Sequence, residues 1–240
     1  MNGSPLSWQA RQIHPFEEGI SLVRKYLYLA AVVASAVVVV LPAASAEAAG
    51  HVLTIKKTGG TAVKVGAVLK SGLVKGTSAV FTLGTQKLTC KSASFSAKVT
   101  TNPPKPGTAK ESLTAQKLGK CTINVAGITL KSIKVNNLPY KVSVSDAKGH
   151  PVKITGHSKT KPIKVTVTVT FQGNPIVCSY KATTVKGAAS NKGNKITFTK
   201  QKFTKASGGS LCPAGPALFT ATFGPVVDSS VTGSPKVFVN

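Results

Sequence analysis

Beyond residue 48 the chain is written with a period of two. Ile163, Val165, Val167, Val169 and Phe171 alternate with Lys164, Thr166, Thr168 and Thr170, the pattern of a strand with one face buried and the other wet. The same alternation runs through SFSAKVT (94–100), SIKVNN (132–137), YKVSVSD (140–146) and LFTATF (218–223). A helical repeat is not sustained anywhere in this region. Turn formers separate the alternating runs: Gly59-Gly60, NPPKPG (102–107), Asn136-Asn137, AKGHP (147–151), QGNP (172–175), SNKGN (190–194), SGGS (207–210) and CPAGP (212–216). Many short strands punctuated in this way predict an all-β fold, an antiparallel sandwich or an open barrel. Threonine suits the outward positions through β-branching. Lysine there, or on an edge strand, discourages pairing with other molecules.

The first 48 residues follow a different rule. From Tyr26 to Leu41 the chain is apolar and uncharged, it follows Arg24 and Lys25, and it leads into PAASAEAAG. That layout predicts a secretory signal peptide, read as a helix, with cleavage after Ala48 and Ala46 as the alternate. The apolar run is shorter than the ~20 residues of a spanning helix, so no membrane span is expected after cleavage. Glu17 and Glu18 sit where a signal's leading segment should be positive, which suggests that 1–22 is an upstream extension and that the true start is at Val23. The Arg24-Lys25 pair is not a twin arginine, which favours general secretion.

The exported part repeats itself. Leu113-Thr114-Ala115-Gln116-Lys117-Leu118 aligns with Phe198-Thr199-Lys200-Gln201-Lys202-Phe203. Upstream of each copy lies a strand, a Gly-containing turn and a cysteine-bearing strand: VFTLGTQKLTC (80–90) and VTFQGNPIVC (169–178). Two related halves are expected, 49–157 and 158–240, forming one domain or two. Leu113 and Leu118 are five apart, as are Phe198 and Phe203, and an odd spacing puts residues on opposite faces of a regular strand. Both can face a core only across a bulge or a strand end, expected within Ala115–Lys117 and Lys200–Lys202. All four cysteines, Cys90, Cys121, Cys178 and Cys212, are exported, which reads as two disulfides. Three pairings are possible, and the grouping by halves favours Cys90–Cys121 with Cys178–Cys212.

Charge changes the functional picture more than any motif. The exported part holds 28 lysines, no arginine and three acids, Glu111, Asp146 and Asp228. So one-sided a field attracts polyanions with strong salt dependence, and candidate contacts are Lys117, Lys120, Lys131, Lys134, Lys200, Lys202 and Lys205. Lysine without arginine favours point-charge attraction over bidentate readout, which argues against sequence-specific nucleic-acid binding. Solubility alone is the competing reason for the lysines. Catalytic patterns are missing: there is no G-x-S-x-G elbow, no C-x-x-C pair and no phosphate loop. Asp146, His150 and His157 lie close in DAKGHPVKITGH, but turn and loop roles explain them better than metal ligation. No enzyme activity, cofactor or metal is expected.

The runs LTCKSASFSAKVTTNPPKPGTAKESLTAQKLGKCTINVAGITLKSIKVNNLPY and ASNKGNKITFTKQKFTKASGGSLC resemble small secreted proteins of actinobacteria, often labelled secreted or Tat-signal-domain proteins. The likeness covers roughly residues 60 to 240, including the four cysteines. It implies secretion and carries no activity with it, and this chain is richer in lysine. The expectation is therefore a secreted, non-enzymatic protein, free or wall-associated, with weak, salt-dependent affinity for anionic wall polymers or other polyanions. The alternative is a secreted antagonist or toxin-like protein acting on anionic membranes.

Overall fold

The computed structural model describes residues 50–240, which belong to one compact unit. The signal segment, with Ala46 and Ala48, lies outside the described residues. The alternating runs become strands: β1 (Leu53–Ile55), β2 (Thr61–Ala62), β3 (Val68–Gly72), β4 (Ala79–Leu83), β5 (Gln86–Thr101), β6 (Thr108–Ile123), β7 (Ile128–Asn136) and β8 (Tyr140–Ser145). They continue with β9 (Pro151–Thr155), β10 (Ile163–Phe171), β11 (Asn174–Ala182), β12 (Thr184–Ser190), β13 (Lys195–Ser207), β14 (Ala217–Phe223), β15 (Val227–Asp228) and β16 (Val237–Val239).

Eight of these close into a ring in the order β4-β5-β6-β8-β9-β12-β13-β14, every neighbour antiparallel, with β14 returning to β4 through Phe219 opposite Phe81. This is an up-and-down barrel whose ring follows the order of the chain. Local pattern alone does not distinguish a sandwich from an open barrel, and the structure is a closed barrel. Closure comes from Ala188–Ser190 of β12 pairing with Lys195–Thr197 of β13, which leaves none of the eight without two partners.

An eight-stranded barrel is just wide enough for its own side chains to fill. Here phenylalanines do so. Phe81 stacks at 4.8 Å on Phe219 and meets Phe203 edge-on at 5.9 Å, while Phe198 meets Phe223 edge-on at 6.2 Å. Only about 60 Å³ remains empty among them, well short of a ligand-sized pocket.

The remaining strands cover the barrel. A ribbon of β7, β10 and β11 joins the far end of β13, where Lys181 pairs with Thr204 and Tyr180 with Lys205. Tyr140, buried in the barrel wall, ties on this ribbon: its hydroxyl donates to the Asn136 carbonyl and accepts from the Lys164 amide at 3.2 Å. The small sheet β2-β1-β16 is held by asparagines used as pieces of backbone. Buried Asn102 accepts from the Leu53 amide and donates to the carbonyls of Leu53 and Val63, each at 2.9 Å. Asn191 makes a matching two-way pair with Val239, and Asn194 bridges Val226 to Val237.

Both copies of the repeated phrase carry a bulge. Leu113, Gln116 and Leu118 face Ala97, Phe95 and Ala93 of β5, so one extra residue is accommodated at Thr114. Phe198, Gln201 and Phe203 face Ala221, Phe219 and Ala217 of β14, with the extra residue at Thr199–Lys200 and Lys200 at φ 47°. The first bulge lies one residue before the expected Ala115–Lys117 window, because Ala115 still pairs with Ser96. The partner strands differ, β5 preceding its copy and β14 following it. Leu113, Leu118, Phe198 and Phe203 all line the same interior.

The disulfides are Cys90–Cys121 and Cys178–Cys212, with loops of 31 and 34 residues. Cys90 and Cys121 are direct partners across β5 and β6, whereas Cys178 on β11 holds the loop after β13. Restricting the unfolded chain over loops of this length stabilises by about 3.5–4 kcal/mol each. Reduction should therefore lower the melting temperature sharply, and Cys90→Ala/Cys121→Ala should do part of this. Thermal melts with and without reductant test it; superimposable melts would show that the bridges carry no stability.

Candidate anion-binding face

Alternation around a closed ring sends every second side chain outward, and on one wall the outward set is unusually regular. Pairings across β5, β6, β8, β9 and β12 define two adjacent rows. The first reads Thr101, Lys110, Ser143, Lys153, Lys186; the second reads Lys98, Ser112, Lys141, Thr155, Thr184. Lysines thus alternate with hydroxyl side chains along each strand, and between strands from β5 to β9. Lysines on neighbouring strands in adjacent rows stand about 7–8 Å apart. The wall is hollowed into a groove of about 580 Å³, lined by Lys110, Lys141, Lys153, Ser112, Ser143 and His157 among others. Lys153 and Lys186 are directly paired like charges, an arrangement that destabilises a sheet unless an anion sits between them.

The acid side chains are committed elsewhere, although Glu111 also borders the groove. Asp146 is turned to the Gly107 amide at 2.9 Å and buried Asp228 to the Ser230 amide at 2.9 Å. Glu111 lies between Lys110 and Ser112 on β6, so its side chain points the other way, into the barrel. There it pairs across the ladder with Val99 and Val142 and lines a 30 Å³ cavity with Leu53, Leu69 and Val144. Burial pushes its carboxyl from the ordinary 4.5 up to about 7, because an apolar wall cannot solvate the ionised form. The same cause raises Tyr140, opposed by its hydrogen bond to Lys164, and raises Tyr180.

The lysines singled out in sequence do not form one patch. Lys117, on the outer face of β6, lines a second groove of about 460 Å³ with Lys70, Ser94 and Ser96. Lys120 follows near the end of the same strand, while Lys131 and Lys134 are on the ribbon strand β7. Lys200 and Lys202 belong to β13, four places round the ring from β6. Lys205 is engaged locally: its Nζ donates to the carbonyls of Gly209 and Cys212, each at 2.8 Å, bracing the loop of the second disulfide. The groove lysines Lys110, Lys141 and Lys153, and their neighbours on the wall, Lys98 and Lys186, were missed. Their outward phase is visible in TAKES, YKVSVS and PVKIT, but which strands become neighbours is not.

His150 and His157 flank opposite ends of β9 and do not converge, and Asp146 is spent on its backbone bond. Among the described residues no group of three His, Cys, Asp or Glu side chains is placed to hold a metal. Comparison with protein-family models, curated proteins and solved structures finds no match for this chain.

Glu111 makes stability pH-dependent. Its folded pKa is raised, so the folded state binds the extra proton and stability is greatest below the ordinary value of 4.5. It then falls as pH climbs from 4.5 to about 7. The loss amounts to roughly 3 kcal/mol across that window. The charged groups nearest its strand, Lys110, Lys141 and Lys153, face outward, and Lys195 is exposed at the rim of its cavity. Glu111→Gln should flatten the profile. Denaturant titrations at pH 4.5, 6 and 7.5 measure this, and a wild-type profile that rises with pH across the window would contradict it.

Proposed function

We propose that this protein acts outside the cell as a non-catalytic binding protein for anionic polymers of the cell wall. One observation carries the reading. The 28 lysines of the exported part meet acids that are turned to backbone amides or into the barrel, so the positive field is unopposed over a closed surface. Release of condensed counterions then drives association with a polyanion. The signal-like first 48 residues, the two disulfides and the likeness to secreted actinobacterial proteins all support an extracellular place of action.

Action on anionic membranes is the second reading, and the surface favours it less. Membrane insertion needs a contiguous apolar face, whereas the exposed large apolar side chains among the described residues are Val65, Val177, Leu211 and Val231. Val177 and Leu211 are next to the disulfide partners Cys178 and Cys212, and the other two are in separate turns.

Co-sedimentation with purified bacterial wall at stepped salt tests the proposal. Binding should be strong at about 50 mM salt and fall by roughly a thousandfold or more by 200 mM if six or more phosphates are engaged. Leakage of anionic liposomes at the same protein concentration would favour the membrane reading. Failure to bind walls at low salt would end the wall reading.

A further inference from the structure

We infer that the groove on the β6-β8-β9 wall is the principal binding site, and that its ligand is a phosphodiester polymer of small polyols. The inference rests on the polyanion reading above and narrows it to one place and one chemistry.

Three features separate this wall from the general lysine coat. First, it is concave. A 580 Å³ hollow lets several ammonium groups reach one chain from two sides, while a convex lysine meets its ligand alone. Second, its charges are spaced by hydroxyls. Lys110, Lys141 and Lys153 form a zigzag across three strands, with Ser112, Ser143 and Thr155 as their lateral neighbours. Ammonium groups take the phosphate oxygens, and the serine and threonine hydroxyls can both donate to those oxygens and accept from ligand hydroxyls. Third, the wall carries an unrelieved repulsion. Lys153 faces Lys186 across the β9–β12 ladder, and a bridging phosphate converts that repulsion into attraction.

The choice of polymer follows from what the wall presents. Single-stranded nucleic acids bind where bases can stack on aromatic rings. Here Phe81, Phe198, Phe203, Phe219 and Phe223 are packed against one another in the barrel interior; of the aromatic rings that border the groove, Tyr140 is buried in the wall, which leaves the single exposed imidazole of His157 and no series of stacking faces. Lysine ammonium groups attract phosphate as point charges, without the planar guanidinium fork that reads carboxylate, phosphate or guanine bidentately. A flexible polyol phosphate asks only for charge and hydroxyl partners. The outer face of β6 also continues past its bulge to Lys117 and the second groove, so a long chain can follow that strand from one hollow to the other.

The test compares two charge-matched variants of the exported chain, Lys110→Gln/Lys141→Gln/Lys153→Gln in the groove and Lys131→Gln/Lys134→Gln/Lys181→Gln on the ribbon. Thermal melts first confirm that both fold. Binding to poly(glycerol phosphate) is then measured over a salt series, with single-stranded DNA of equal charge as a second probe. The groove variant should lose at least about tenfold in affinity at low salt, and its salt slope should drop by about 2 to 3. The ribbon variant should change little. Equal losses in both variants would overturn the site while leaving the polyanion reading intact. DNA binding as tight as the polymer's, with the same groove sensitivity, would overturn the choice of ligand. No binding of either probe by the unaltered protein would remove the site and the polyanion reading together.

Discussion

The ladder that joins β14 back to β4 is the contact on which the rest depends. Without it the sheet has two free edges, and a chain this rich in alternating valine, threonine and lysine would offer them to any extended partner. With it, each ring strand has a neighbour on both sides and one face directed inward. The phenylalanine cluster exists because closure gives five large side chains a common volume to fill. Their packing then stabilises the closure that created it.

Closure has an electrostatic counterpart. Once all outward positions point to water, the lysines are distributed over the surface with acids withdrawn from them, and self-repulsion opposes the compact state. The structure answers with forces indifferent to that field. Two covalent bridges hold the barrel end and the loop beside it. Buried amides of Asn102, Asn191 and Asn194 hold the small sheet through uncharged hydrogen bonds. Even Glu111 conforms, since its buried carboxyl is mostly protonated in mildly acid surroundings and so adds little attraction or repulsion there.

Much of the fold was legible in local pattern. Ile163 to Phe171 announces a half-buried strand, and β10 spans those residues. The five-residue spacing of Leu113 and Leu118 demanded a bulge, because only an extra residue can return both to one face, and the grouping of cysteines matched the bridges formed. Closure was illegible, because it rests on pairing Ala188 with Thr197 and Phe219 with Phe81, and nothing local distinguishes those partners. The binding face was hidden for the same reason. Lys110, Lys141 and Lys153 are scattered along the chain and become one groove only through the register of β6, β8 and β9. Lys117 and Lys202 hold matching places in the repeated phrase, yet the ring puts them on opposite walls.

The pairing of β1 with β16 joins Leu53 to Val239, and Asn240 reaches back to the carbonyls of Val52 and His51. The earliest described strand pairs locally with β2, but its second partner comes only with Val237–Val239. Ring closure imposes a similar delay, since Val80 meets Thr220 only when β14 has emerged. Pairings of such long sequence separation slow folding and cannot form until both partner strands are available. Under the extracellular reading proposed above, a chain threaded through a membrane pore cannot complete its barrel in transit, and the architecture would assemble on the far side, where the cysteines can also be oxidised.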